Sequence, residues 1–134
     1  MKKYFIVAGE PSGDLHGSKL IKAIKHLNPN SSFMGHGGDS MRNEGMHIIE
    51  HVDSLAIMGF AEVLRHLPRM NKIMRNTVGA IERSKPDRVI LIDYPGFNLR
   101  LAKRLSPLKI PITYFILPQA WAWKQRRVEE LKRF

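Results

Sequence analysis

V-A-G-E-P-S-G-D, Val7 to Asp14, decides how this chain folds. Before it runs Tyr4-Phe5-Ile6-Val7-Ala8, an apolar series without a break and the pattern of a buried strand. After it come Leu15, Leu20, Ile21, Ile24 and Leu27 at roughly helical spacing. A strand that enters a glycine-bearing polar turn and then a helix presents free backbone N–H groups at its carboxyl edge. Open α/β sheets take their ligands there. Glu10, Ser12 and Asp14 add side-chain oxygens in the same turn, a set that suits sugar hydroxyls as well as phosphate.

Outward from this turn the pattern alternates. Residues 3–8 predict the first strand, and a helix follows from Asp14, its N-cap, to Leu27, with N-P-N at 28–30 as the stop. Ser32 to Gly35 reads as a second strand leading into the glycine turn Gly35-His36-Gly37-Gly38. A short helix over Asp39 to Glu44 ends at Gly45, and Met46 to Ile49 is a third strand. Helices are expected from about Gly59 to His66 and, after Pro68, on to Arg83. Arg88 to Ile92 is a buried strand, Phe97 to Leu105 a helix, Ile112 to Ile116 a strand and Trp123 to Phe134 a basic helix. Strands separated by helices predict a Rossmann-like parallel sheet with helices on both faces. The last helix has no Gly or Pro stop, so the chain reads as truncated.

The totals set bounds. The 134 residues suffice for one modest domain, and 43% hydrophobic with 25% charged residues is ordinary for a globular protein. With no cysteine, disulfides and thiolate metal sites are excluded. Neither a signal-peptide pattern nor an apolar run of about 20 residues is present. Lys and Arg number 22 against 12 Asp and Glu, a net charge of +10. Nucleic acid, anionic lipid or a phosphorylated small molecule would each answer that charge.

Chemistry concentrates in two further blocks. In V-I-L-I-D-Y-P-G-F-N, 89–98, Asp93 stands at the carboxyl end of the strand. It is either a general base toward a bound hydroxyl or a cap for the following helix. In Y-F-I-L-P-Q-A-W-A-W-K-Q-R-R, 114–127, Gln119, Trp121 and Trp123 fall at a strand-to-helix turn, with Lys124, Arg126 and Arg127 beyond. Indoles stack on sugars or bases and the cations pair with phosphate, unless the Trp residues are core and the cations solvated. Dinucleotide-binding and phosphate-loop glycine motifs, zinc-type histidine spacing and a D-x-D metal–nucleotide motif are absent. His36 and His47 flank turns and are weak candidates. The apolar series 55–67 is interleaved and followed by Arg65, Arg69, Lys72 and Arg75. It is either a core stripe or an interfacial helix pair at an anionic membrane surface.

V-A-G-E-P-S-G-D at 7–14, M-G-F-A-E-V-L at 58–64, I-D-Y-P-G-F-N at 92–98 and P-Q-A-W-A-W-K-Q-R-R at 118–127, collinear along the chain, resemble the lipid-A-disaccharide synthase family. The resemblance implies a GT-B glycosyltransferase. Residues 1–134 would be most of its N-terminal, acceptor-side domain, without the C-terminal UDP-sugar domain. It implies inverting transfer from UDP-2,3-diacylglucosamine to 2,3-diacylglucosamine 1-phosphate, giving a β-1,6 disaccharide and UDP, with no metal or other cofactor. By match to the family, Asp93 becomes the expected base and Glu10 its rival or a sugar-hydroxyl acceptor. Ser12, Gly13, Gln119, Trp121 and Arg126 become substrate-binding residues, and Asn98, placed with them, orients Asp93 or a sugar hydroxyl. Some relatives carry an acid where this chain has Gly96, and that carboxylate's role does not carry over. Because both substrates are acylated and anionic, the resemblance places the enzyme in the bacterial cytoplasm, peripheral on the inner membrane, with Phe60, Leu64, Arg65, Leu67 and Arg69 in a docking face. No nucleic-acid partner is expected. An inactive isolated fragment and a basic nucleotide- or nucleic-acid-binding module remain alternatives.

Overall fold

The computed structural model describes residues 1–56 and 67–116. Five strands alternate with helices: β1 Lys2–Ala8, α1 Pro11–Leu27, β2 Ser31–Gly37, α2 Asp39–Asn43, β3 His47–His51, α3 Val52–Ala56, α4 Leu67–Ser84, β4 Arg88–Ile92, α5 Pro95–Leu105 and β5 Ile112–Phe115. A short 3-10 turn, Ser106–Leu108, follows α5. All pairings are parallel and the order is β3-β2-β1-β4-β5. The strand order therefore reverses beside β1, and the crevice between the carboxyl ends of β1 and β4 is the topological switch point.

Alternation along the central strands explains the layers. Phe5, Val7, Val89 and Leu91 face one way, packing with Ile73, Met74 and Ile81 of α4 and Phe97, Leu101 and Leu105 of α5. Ile6, Ala8, Ile90 and Ile92 face the other way, toward Ile21 of α1 and Met41 of α2. Each strand is apolar on both faces because helices cover both faces. Fully burying one such side chain contributes about 1.5–3 kcal/mol.

Three expectations are corrected. Asp14 does not cap α1: the helix starts at Pro11, its N-cap is Glu10, and Asp14 lies within the first turn. Proline tolerates the first helical position because it lacks only an N–H that would be unsatisfied there. For the same reason α5 starts at Pro95 rather than Phe97. The glycine turn at 35–38 is instead the end of β2, which runs to Gly37. Gly35 holds a positive φ of 146°, and a side chain there would collide with the Ile6 backbone on β1. The β2–β3 register shifts between Gly35 and His36, the sign of a bulge. Helices read at Gly59–His66 and Trp123–Phe134 lie outside the described residues. Among the described residues no helix is long and apolar enough to cross a membrane.

Candidate active site at the sheet switch point

Two turns face each other across the crevice. On one side, β1 ends at Ala8 and α1 begins at Pro11. Helix geometry leaves the N–H groups of Ser12 and Gly13 without intrahelical acceptors, and Glu10 and Ser12 are exposed. Gly13 is buried, because a Cβ there would lie 3.2 Å from Ala8 Cβ and 3.6 Å from Ile92 Cγ2. It lets the first turn of α1 press against the ends of β1 and β4. Asp14 is not available to one. Its carboxylate accepts the N–H groups of Gly38 at 2.8 Å, Met41 at 2.9 Å and Ser40 at 3.1 Å, and so caps α2.

On the other side, Asp93 follows β4 directly. Asp93 and Tyr94 both take the left-handed conformation, with φ of 44° and 50°. Aspartate tolerates that region, but a bulky Tyr there is strained. The turn is held by several bonds. Asn98, 0% exposed, directs its amide nitrogen to the carbonyls of Asp93 at 2.8 Å and of Val7 and Ile92, each at 3.3 Å. The Tyr114 hydroxyl donates to the Asp93 carbonyl at 2.9 Å, and Asp93 N–H donates to Phe115 O at 2.8 Å. Asp93 is 9% exposed. Asn98 thus acts on the backbone of Asp93, with its side chain enclosed at the ends of β1 and β4.

Tyr94 joins the two turns. A Cβ at Gly9 would collide with its ring, so glycine is what allows this approach. Burial pushes the Tyr94 phenol above its ordinary pKa, and the nearby Glu10 charge adds to the rise. Burial and then the Asp93 charge raise Tyr114 in the same way. Glu10 and Asp93 therefore each act on a tyrosine of the same crevice. Neither tyrosine is singled out from sequence: Tyr94 lies in the block 89–98 and Tyr114 opens the block 114–127, both read for other residues.

His36, a weak candidate from sequence, is 1% exposed, within the α4–α5 layer. Thr77 Oγ1 gives its only proton to Ile73 O at 2.6 Å, so His36 Nε2 must carry a proton and donate it to Thr77 at 3.0 Å. Its ring lies 5.6 Å from that of Phe97. Burial lowers its pKa from 6.5 to about 4, keeping it neutral. His47 opens β3 and is exposed. Of the docking candidates, Arg69 is exposed in the first turn of α4, which Leu67 opens. Phe60, Leu64, Arg65, Gln119, Trp121 and Arg126 lie outside the described residues. A cavity of about 290 Å³ lined by Lys3, Tyr4, Ser32 and His47 sits at the opposite, amino end of β1, away from both turns. Among the described residues no group of His, Asp and Glu has the arrangement to hold a metal ion.

The model of the lipid-A-disaccharide synthetase family matches residues 4–134. The lipid-A-disaccharide synthase of Coxiella burnetii is 38% identical over 99% of this chain and 35% of its own length. That of Myxococcus xanthus is 39% identical over 98% of the chain and 34% of its own. That of Nitrosococcus oceani is 44% identical over 94% of the chain and 33% of its own. The chain spans about a third of the length of the curated relatives it matches. From the match along its whole length, the chain belongs to the lipid-A-disaccharide synthetase family.

Proposed function

We propose that this chain forms the acceptor-side wall of a GT-B glycosyltransferase that makes the lipid A disaccharide. The donor is UDP-2,3-diacylglucosamine and the acceptor 2,3-diacylglucosamine 1-phosphate. The acceptor 6-hydroxyl attacks the donor's anomeric carbon as the bond to UDP breaks on the opposite face. One displacement inverts the configuration. The hydroxyl proton passes to Asp93, and UDP leaves with the bonding electron pair. A placed base is typically worth about 10²–10⁴-fold in rate. Donor binding falls to the C-terminal domain that the relatives' greater length accommodates.

The observation that carries this reading is the position of Asp93. It stands at the switch point, on a strained turn pinned through its own carbonyl by Asn98 and Tyr114. Strain retained at a sheet's ligand edge supports a functional turn over a simple helix cap. Glu10, exposed on the facing turn, is the second carboxylate and in this reading meets a sugar hydroxyl. The N–H groups of Ser12 and Gly13 assist it, and Gln119, Trp121 and Arg126 complete the cleft. The enzyme works in the cytoplasm against an anionic membrane surface, which its acylated, phosphorylated substrates require.

A transferase assay on the protein at the length of its relatives tests the assignment. Asp93→Asn is expected to cut kcat by about 10²-fold or more with the fold intact, while Glu10→Gln mainly raises the acceptor KM. The reverse pattern would move the base to Glu10. No disaccharide from a folded wild type would overturn the reaction.

A further inference from the structure

A second polar cleft lies between α4 and α5. It has a volume of about 100 Å³ and is lined by Met70, Asn71 and Met74 from α4 and Gly96, Phe97, Arg100 and Arg104 from α5. Gly96, Arg100 and Arg104 recur every four residues, which sets them on one face of α5. Gly96 belongs to the first turn of α5, so its N–H has no intrahelical acceptor. A Cβ there would meet nothing within 4 Å, so the space above it is open. Asn71 brings an amide from the facing helix.

Among the described residues the charge of this cleft is uncompensated. Helices α4 and α5 carry Arg69, Lys72, Arg75, Arg83, Arg100, Lys103 and Arg104 against the single acid Glu82. No ion pair among the described residues involves any of them. Like charges four residues apart, as at Arg100 and Arg104, destabilise a helix. A bound dianion turns that cost into a gain, because guanidinium forks match phosphate oxygens. Met70, Met74 and Phe97 form an apolar floor beside the cations, suited to the body of a larger molecule rather than to a bare ion.

We propose that this cleft is a phosphomonoester site, with Arg100, Arg104, Asn71 and the Gly96 N–H as donors. Resting on the transfer reaction above, its ligand is the phosphate of the acceptor sugar. Gly96 stands three residues after Asp93, at most about 11 Å of chain. A sugar phosphate with its hydroxyl toward Asp93 spans part of that distance, and the arginine side chains reach across the rest. The phosphate then selects and orients the acceptor without taking part in the displacement.

Binding of glucosamine 1-phosphate, glucosamine and inorganic phosphate to the full chain, followed by NMR at low salt, tests the site separately from turnover. Glucosamine 1-phosphate is expected to bind at least about 10-fold more tightly than glucosamine, and Arg100→Gln with Arg104→Gln to lose that advantage. Asp93→Asn leaves it in place. Unchanged affinity in the double arginine variant, or equal binding of glucosamine, overturns the site. Inorganic phosphate binding as tightly as the sugar phosphate keeps an anion site but overturns the acceptor assignment. In the transfer assay the double variant is expected to raise the acceptor KM by about 10-fold or more while kcat stays near wild type. Intact phosphate binding by a protein that transfers nothing would sink the reaction alone.

Discussion

At the scale of single residues, a neighbour's hydrogen bond fixes where the proton of buried His36 lies. Thr77 commits its proton to Ile73, so His36 is neutral with the proton on Nε2, and burial holds its pKa at about 4. In the unfolded chain the ring takes a proton near its ordinary 6.5. Between these values the unfolded state binds the proton that the folded state refuses, so stability is full above the unfolded pKa and falls as the pH drops toward about 4. The difference corresponds to about 3 kcal/mol. Urea denaturation of wild type and His36→Gln at pH 7 and pH 4.5 checks it. The wild type is expected to lose more stability on acidification, by an amount of this order, and equal losses would refute the assignment. Sequence marked His36 only as flanking a glycine turn. Its burial depends on β2 continuing through those glycines, which local composition does not reveal.

At the scale of elements, proline governed what was legible. The strand Arg88–Ile92 matched its reading, because an uninterrupted apolar run between charged ends has few other interpretations. Both helices that frame the site begin earlier than read, each at a proline in its first position. Those few residues change the chemistry: Asp14 becomes the buried cap of α2, and the ligand edge passes to Glu10, Ser12 and the N–H groups beside them. Asn98, expected to orient Asp93 or a sugar hydroxyl, bonds the Asp93 carbonyl, whereas nothing local indicates that its amide will also meet Val7, 91 residues away. The β4–α5 turn depends on that amide. Asn98→Leu removes the donor shared by three enclosed carbonyls, at an expected cost of about 1–3 kcal/mol. In the longer transferase it is also expected to lower kcat more than it raises KM, because Asp93 loses its backbone restraint. Thermal denaturation together with steady-state kinetics checks both. A destabilised variant with an unchanged kcat would show that the pin serves folding only.

At the scale of the whole molecule, alternation of strands and helices foretold a parallel sheet, but not its order. The order β3-β2-β1-β4-β5 is what sets Glu10 and Asp93, 83 residues apart in sequence, on neighbouring strand ends. The same topology gathers cations on one side. Helices α4 and α5 share a sheet face and carry seven Lys and Arg residues against one acid, so the positive charge of the described residues is unevenly distributed. A substrate whose acyl chains stay in a bilayer must be met at that bilayer. In the function proposed above, a face with this charge is expected to bring the crevice to an anionic surface, each Lys or Arg near it contributing about 1 kcal/mol. Co-sedimentation with phosphatidylcholine vesicles doped with phosphatidylglycerol is therefore expected at low salt. It should weaken as the screening length shortens to about 8 Å near physiological ionic strength. Leu64→Glu with Leu67→Glu should abolish the residual salt-resistant part, which comes from apolar insertion beside the cations. Binding that salt removes entirely, and that the double variant leaves unchanged, would mean that the charge alone attracts the protein to lipid. Binding insensitive to both would place the docking surface elsewhere in the longer protein.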